Sequence, residues 1–195
     1  FIGIGGIGMS ALARVLLERE VGVSGSDLAP NNITLALEGF GAKIYIGHDG
    51  SNIDKAADLV VYSSCIKPDN PEIKAARRMR IKSIPRGTLL AELMSERTGI
   101  AVCGAHGKTT TSALIAVILH EAGMDPTALI GGEVNVFGSN AKIGKSRYLV
   151  AEADESDGSF LKLRPVYSVI TNIDEDHMDH FKTSDALIRD FKKYA

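Results

Sequence analysis

"GIAVCGAHGKTTTSALIAV", residues 99–117, is the stretch that decides the fold. It opens with a short apolar run, typical of a buried strand, and from Ser112 onward apolar residues return at helical spacing. The glycine-containing segment 104–107 separates the two. A glycine loop between a strand and the N-terminus of a helix is a common phosphate-binding unit of α/β proteins. The stretch therefore predicts a strand, a phosphate-binding loop and a helix.

The loop departs from the usual nucleotide-binding pattern. A Walker A loop reads G-x-x-x-x-G-K-[ST], but Val102 stands where its first glycine belongs, and Gly104 gives the shorter form G-x-x-G-K-T. Lys108 would neutralise terminal phosphates as a point charge, and Thr109 would offer its hydroxyl to Mg²⁺. The alternative is a solvated lysine in the first helical turn, where its charge would oppose the helix dipole. The pattern favours a variant nucleotide loop.

Two later strands are followed by side chains that suit a metal site. The strand in "RYLVAEADESD", residues 147–157, leads into Glu152, Asp154, Glu155 and Asp157. The strand in "YSVITNIDEDHMDHF", residues 167–181, leads into Asp176, His177, Asp179 and His180. Clustered carboxylates repel one another unless cations are present, although a solvated acidic loop remains an alternative. In a parallel sheet these strand ends meet the phosphate loop at one edge, which predicts a common site.

A second glycine motif lies at the start of the chain. In "FIGIGGIGMS", residues 1–10, Gly3, Gly5 and Gly8 have G-x-G-x-x-G spacing between an apolar run and a helical pattern. Such a loop lets a diphosphate approach the backbone at a helix N-terminus. Asp27 follows the second predicted strand, where a dinucleotide fold places its ribose-binding acid. These residues alone favour NAD, and tight strand-to-helix packing without a ligand is the alternative.

Strands alternate with helical patterns throughout, which predicts an α/β fold with parallel sheets and helices on both faces. Asn31 or Asn32 is expected to cap the second helix, and Asn70 with Pro71 to begin the third. The alternation of strands and helices starts again near residues 97–99. We expect a Rossmann-like domain over 1–97 and a P-loop α/β domain over 98–195, truncated because the chain begins inside a strand and stops inside a helix.

Composition narrows the class of protein. The 195 residues carry a net charge of −2, so no overall basic field would attract nucleic acid. The two cysteines form neither a disulfide framework nor a metal pair, and Cys103 is expected to be a buried thiol. The chain has neither a signal peptide nor an apolar run of about 18 residues, the length of a membrane span. We expect a cytoplasmic protein without membrane partners.

Several stretches together resemble the Mur ligases, which build the peptide of bacterial peptidoglycan. They are "GIGGIGMS", "SGSD", "YIGH", "SSCIKPDNPE", "HGKTTT", "RYLVAEADESDGSF" and "TNIDEDHMDH", and the resemblance runs from residue 2 to about residue 181. The resemblance implies that the first loop holds a UDP-sugar in place of NAD. It also implies a third domain, which in this family helps to bind adenine and the amino acid and which this chain lacks.

The resemblance assigns residues to three sites. For the UDP-sugar it implies Gly3, Gly5, Gly6 and Gly8 at the diphosphate, with Asp27, His48, Ser63 and Ser64 near the uridine. For the phosphates of ATP it implies Gly104, Ala105, His106, Gly107, Lys108, Thr109 and Thr110. For two Mg²⁺ ions it implies Thr109 with Glu152 and Glu152 with His177, and the catalytic set is Lys108, Glu152 and His177. Ala105 departs from the threonine usual in the family, but its backbone N–H is unchanged.

The implied reaction joins a carboxylate to an amine. In the family, ATP phosphorylates the lactyl carboxylate of UDP-N-acetylmuramate, and the amine of an amino acid attacks the acyl phosphate. Ser156 favours the branch that adds L-alanine over the tripeptide-recycling branch, which usually has an aromatic residue there. Without the third domain we expect sugar binding but no turnover. The remaining alternatives are an NAD-dependent dehydrogenase, a non-catalytic nucleotide-binding regulator, and the folylpolyglutamate synthetase branch of the superfamily.

Overall fold

The computed structural model describes residues 1–155, 158–175 and 181–195. The chain divides into two compact units, Phe1–Leu89 and Leu90–Ala195, and the division falls inside helix α4 (Arg86–Ser95). Each unit contains parallel strands with helices packed against them. The predicted α/β class with parallel sheets is confirmed.

The first unit contains four parallel strands and the helices that connect them. Its strands are β1 (Ser24–Asp27), β2 (Lys43–Ile46), β3 (Leu59–Tyr62) and β4 (Lys82–Pro85). Its helices are α1 (Ile7–Glu18), α2 (Asn32–Gly39), α3 (Pro71–Arg78) and the start of α4, with a 3-10 turn at Gly50–Asn52. β1 pairs with β2, and β3 pairs with β4.

The apolar run predicted as the first strand is reduced to a bridge at Ile2. This residue pairs in parallel with Ser26 of β1 and with Tyr62 of β3, and so joins the two strand pairs. Gly3, at φ +80°, ends the extended backbone directly afterwards. The glycine loop therefore leaves the sheet at the carboxyl ends of β1 and β3.

Both predicted helix caps of this unit are confirmed. Asn31 and Thr34 form a reciprocal capping box, each side chain accepting the other's backbone N–H at 2.9 Å. Asn70 accepts the N–H of Glu72 at 2.8 Å, with Pro71 at the first helical position.

In the hydrophobic core of this unit, one cluster of buried side chains includes Ile4 and another includes Ile2.

The second unit is built on a five-stranded sheet in the order β7-β6-β8-β5-β9. Its strands are β5 (Thr98–Cys103), β6 (Thr127–Val134), β7 (Ser139–Lys142), β8 (Tyr148–Glu152) and β9 (Tyr167–Ile170). Its helices are α5 (Lys108–Glu121) and α6 (Ser184–Tyr194), with a 3-10 turn at Ser159–Lys162. Among the strands that the structure describes in this unit, β6 and β7 pair antiparallel and the other neighbours pair parallel. β7 was not predicted, because "SNAK" has no apolar alternation.

Strand β5 fixes the position of the phosphate loop. Ile100 packs in a cluster with Ala116 of α5 and Val150 of β8. Cys103, which points to the opposite face, is fully buried. On β5's two sides lie β8 and β9, so the predicted loop and both predicted acidic segments leave the same edge of the sheet. Across the described ranges, no helix is both long and apolar enough to cross a membrane.

Candidate functional site

The loop between β5 and α5 is open to solvent at the helix end. Gly104 and Gly107 have φ of +122° and +80°, and Gly107 directly precedes α5. Gly107, Thr109 and Thr110 are exposed. The first N–H groups of a helix have no acceptor within the helix, and the helix dipole adds positive potential there. This end of the loop can therefore receive an anion.

Lys108 lies folded over its own loop. Its Nζ donates to the backbone oxygens of Gly104 and Ala105 at 2.7 and 3.3 Å, and to Glu155 Oε1 at 2.6 Å. The Glu155 side chain is only 2% exposed, whereas that of Lys108 is 18% exposed. The ion pair gives the buried carboxylate its cation and holds the lysine beside the helix start. Sequence reasoning placed Glu155 in the acidic segment but did not foresee this pairing.

Glu152 connects the first turn of α5 to strand β6. Its Oε2 accepts the Thr109 hydroxyl at 3.2 Å. Its Oε1 accepts the Ser112 hydroxyl at 3.2 Å and the Gly131 N–H at 2.6 Å. A Cβ at Gly131 would lie 2.6 Å from the carboxylate, so a larger residue there would displace the Glu152 side chain. The predicted residues Lys108, Thr109 and Glu152 thus come together at one edge of the sheet.

The segment after β9 holds the first half of the loop. The Thr171 hydroxyl lies 2.7 Å from the His106 oxygen and 3.1 Å from the Cys103 oxygen. The Asn172 carboxamide accepts the His106 N–H at 3.0 Å and donates to the His106 oxygen at 2.9 Å. The Asn172 backbone oxygen accepts the Ala105 N–H at 3.3 Å. The side chain of His106 reaches Asp174 at 3.3 Å on the surface.

Part of the predicted metal site lies outside the described residues. This applies to His177, with its neighbours Asp176, Asp179 and His180, and to Asp157. Ser156, which bears on the branch of the family, also lies outside the described residues. Within ranges 1–155, 158–175 and 181–195, no three His, Cys, Asp or Glu side chains converge as a metal-binding group.

Cys103 lies at the end of β5, directly before the loop. Its side chain is fully buried, which confirms the predicted buried thiol. Burial, and secondly the negative charge of Glu155, raise its pKa to about 12. The thiol is therefore neutral at physiological pH and is not poised as a nucleophile.

In the first unit, Asp27 holds the glycine loop. Its Oδ2 accepts the Gly5 N–H at 2.7 Å, and its Oδ1 accepts the Leu28 N–H at 2.8 Å. Asn31 donates to the Gly5 oxygen at 3.3 Å. A Cβ at Gly5 would lie 2.8 Å from both side chains, and one at Gly8 would lie 2.9 Å from Arg86 Nη1. Sequence reasoning missed Arg86, which brings a cation to the start of α1.

The other predicted sugar-site residues lie at different places in this unit. His48 Nδ1 is 2.8 Å from Oε2 of the buried Glu72, which also accepts the Ser26 hydroxyl at 2.7 Å. Ser63 follows β3 and would lie 3.1 Å from a Cβ at Gly3, so it borders the glycine loop. Ser64 is exposed next to it, and Gly6 precedes α1 as its N-cap.

Comparison with known proteins identifies the family. The sequence model of the Mur ligase family catalytic domain matches residues 1–98, and that of the Mur ligase middle domain matches residues 102–194. The chain belongs to the Mur ligase family. Mur ligases are ATP-dependent ligases, and the family resemblance inferred from the motifs is confirmed.

Individual Mur ligases match the whole chain. It is 54% identical over 195 residues to the UDP-N-acetylmuramate–L-alanine ligase of Anaeromyxobacter dehalogenans, covering 100% of this chain and 42% of that protein. The ligase of the same name from Methylobacillus flagellatus is 59% identical over 181 residues, which are 93% of this chain and 38% of that protein. The chain thus spans less than half the length of these curated relatives.

Two solved Mur ligase structures share the fold. The UDP-N-acetylmuramate–alanine ligase of Thermotoga maritima superposes with a TM-score of 0.93 at 32% identity, covering 100% of this chain and 46% of that one. The UDP-N-acetylmuramate:L-alanyl-gamma-D-glutamyl-meso-diaminopimelate ligase from Neisseria meningitides gives 0.90 at 31% identity, covering 99% and 65%. Similarity of fold alone therefore does not separate these two ligases.

Proposed function

We propose that this chain carries the sugar-nucleotide and ATP-phosphate sites of a ligase that adds L-alanine to UDP-N-acetylmuramate. The observation that carries the proposal is the convergence of Lys108, Thr109 and Glu152 at the carboxyl ends of β5 and β8. The curated relatives that match the full chain at 54% identity bear this ligase name. The name of these relatives supplies the substrates, and the geometry supplies the chemical reason.

The ATP phosphates would lie over the start of α5. The exposed residues Gly107, Thr109 and Thr110 offer backbone N–H groups, and Lys108 offers a cation. In the reaction a substrate carboxylate must approach the γ-phosphate. Two like unit charges about 4 Å apart repel by about 4 kcal/mol at an effective dielectric constant of about 20. The lysine and the helix start would offset this repulsion, so the loop acts by electrostatics and positioning.

Mg²⁺ fits the oxygen donors beside the loop. The Thr109 hydroxyl and the Glu152 carboxylate lie 3.2 Å apart, and both are hard oxygen ligands of the kind that this cation prefers. Ser112 and Gly131 hold the second carboxylate oxygen in place. When bound, the ion would neutralise charge on the phosphate oxygens. His177 is proposed as the remaining ligand from the family resemblance alone.

The glycine loop of the first unit would receive the diphosphate of the sugar nucleotide. Asp27 and Asn31 hold Gly5 from one side, and Arg86 brings a positive charge next to Gly8. A guanidinium beside a helix N-terminus suits a diphosphate. Ser63 and Ser64 border this loop and are proposed to face the nucleoside. Nδ1 of His48 is directed to Glu72. We therefore propose that another part of the imidazole edge contacts the sugar nucleotide.

The chemistry proceeds by activation of a carboxylate. The lactyl carboxylate would attack the γ-phosphorus, the bond to the β-phosphate oxygen would break, and ADP would leave. The amine of L-alanine would then attack the acyl phosphate and expel inorganic phosphate, with loss of a proton from nitrogen. In this scheme the Lys108 side chain stabilises charge on the transferring phosphoryl group.

Calorimetry on the 195-residue chain tests the proposal. UDP-N-acetylmuramate and MgATP should each bind, whereas NADH should not, because the proposed first site holds a sugar nucleotide. Lys108→Met should abolish MgATP binding and leave UDP-N-acetylmuramate binding unchanged. Lys145→Met, which alters an exposed lysine outside the loop, is the matched control. Binding of NADH but not of the sugar nucleotide would favour the dehydrogenase alternative and refute the ligase.

The tripeptide-recycling ligase is the second candidate, because a protein with that activity shares the fold at a TM-score of 0.90. Both candidates use the same sugar nucleotide, so the amine distinguishes them. Phosphate release by the complete ligase should depend on L-alanine. Dependence on the tripeptide L-alanyl-γ-D-glutamyl-meso-diaminopimelate in its place would support the second candidate.

A further inference from the structure

The loop 104–107 is bonded to the two residues that follow β9. We call Thr171 and Asn172, with their contacts to this loop, the clamp. The Asn172 carboxamide binds both backbone groups of His106, accepting its N–H at 3.0 Å and donating to its oxygen at 2.9 Å. The Asn172 backbone oxygen accepts the Ala105 N–H, and the Thr171 hydroxyl lies 2.7 Å from the His106 oxygen.

The clamp decides which backbone groups remain for a ligand. The N–H groups of Ala105 and His106 are directed to Asn172 and are not available to a phosphate in this arrangement. The N–H groups that begin α5 have no acceptor within the helix. We infer that Asn172 is a positioning residue that turns the first half of the loop away from the nucleotide and presents only Gly107–Thr110 to it. This inference rests on the proposed nucleotide site.

The clamp also explains why the loop is shorter than a Walker A loop. That pattern has four residues between its glycines, whereas Gly104 and Gly107 are separated by two. A short loop has fewer backbone groups with which to hold its own shape, and here side chains of a neighbouring segment supply that support. A Cβ at Gly104 would lie 2.3 Å from Thr171 Oγ1 and 2.6 Å from the Asn172 oxygen. Glycine at 104 is therefore required by the clamp itself.

The test compares Asn172→Ala with the matched variant Asn135→Ala, which alters an exposed asparagine in the turn between β6 and β7. Asn172→Ala should weaken MgATP binding about tenfold, as expected for two lost hydrogen bonds. It should also speed hydrogen exchange at Ala105 and His106, and leave UDP-N-acetylmuramate binding unchanged. Asn172→Asp should not restore binding, because a carboxylate cannot donate to the His106 oxygen.

A second pair keeps the test decisive if Asn172→Ala does not fold. Thr171→Val removes the hydroxyl while keeping the shape, and should weaken MgATP binding, whereas Thr171→Ser should retain it. Wild-type affinity together with unchanged exchange in both Asn172→Ala and Thr171→Val would overturn the inference and leave the proposed function intact. Failure of the wild-type chain to bind MgATP would instead refute the proposed nucleotide site.

Discussion

Replacing Lys108 by methionine should destabilise the second unit by about 3 kcal/mol. The variant leaves the Glu155 carboxylate buried without its cation, and breaking a buried ion pair in this way costs about 3–5 kcal/mol. Glu155 is 2% exposed and Lys108 18%, so water reaches part of the pair and the lower end of that range applies. Glu155→Gln should cost less, about 1 kcal/mol, because the lysine keeps both of its backbone acceptors.

The double variant Lys108→Met/Glu155→Gln isolates the interaction between the two side chains. It should cost about 1–2 kcal/mol in all, less than the sum of the single variants, because neither charge is then left unpaired. The assay is urea unfolding followed by hydrogen exchange of the β5 peptide, since the chain has no tryptophan and this strand reports on the second unit alone. Additivity of the single variants within about 0.5 kcal/mol would refute the reasoning.

Three further outcomes follow from other contacts. Gly104→Ala should lower the free energy of unfolding by about 3 kcal/mol and Gly107→Ala by about 1, since both have positive φ but only the first Cβ meets neighbouring atoms; equal losses in urea titrations would contradict this. Iodoacetamide at pH 8 should label the exposed Cys65 and spare the buried Cys103, and mass spectrometry showing both labelled in the folded chain would argue against this. Because the pKa of Cys103 is about 12 in the folded chain and 9.0 when unfolded, the stability contributed by its neutral thiol is lost as pH rises from 9.0 to about 12. Glu72→Ala should destabilise the first unit by about 3 kcal/mol, because several side-chain partners lose a buried acceptor; a loss below about 1 kcal/mol, measured by exchange at β3, would not fit.

Local chemistry explains what the sequence predicts well. The caps at Asn31 and Asn70 depend on residues within three positions, and the strand–loop–helix unit around Lys108 depends on adjacent residues. β7 was missed for the opposite reason. It is a strand because it pairs with the edge of β6, and none of its own residues carries that information.

Long-range pairings explain what the sequence could not supply. Asn172 binds His106 across 66 positions, and Glu155 pairs with Lys108 across 47. Both partners follow strands that flank or neighbour β5, so the topology brings them to one edge, but no spacing rule states which side chain meets which. The placement of Asn172 within "TNIDEDH", directly after a predicted strand, was the available signal. The acidic and histidine residues that follow Asn172 point to a metal site and give no indication of this contact.

The two glycine loops make a common point about what such motifs mean. In the first, Gly5 is approached by Asp27 and Asn31; in the second, Gly104 is approached by the clamp. In both, a group of the protein lies where a Cβ would be. The glycine pattern therefore indicates that another group approaches the backbone closely. The neighbouring segment shows whether that group is a phosphate or a side chain. In the first loop the glycine motif alone favours NAD, but the Asp27 carboxylate already accepts the Gly5 N–H. The motif alone therefore does not identify the nucleotide.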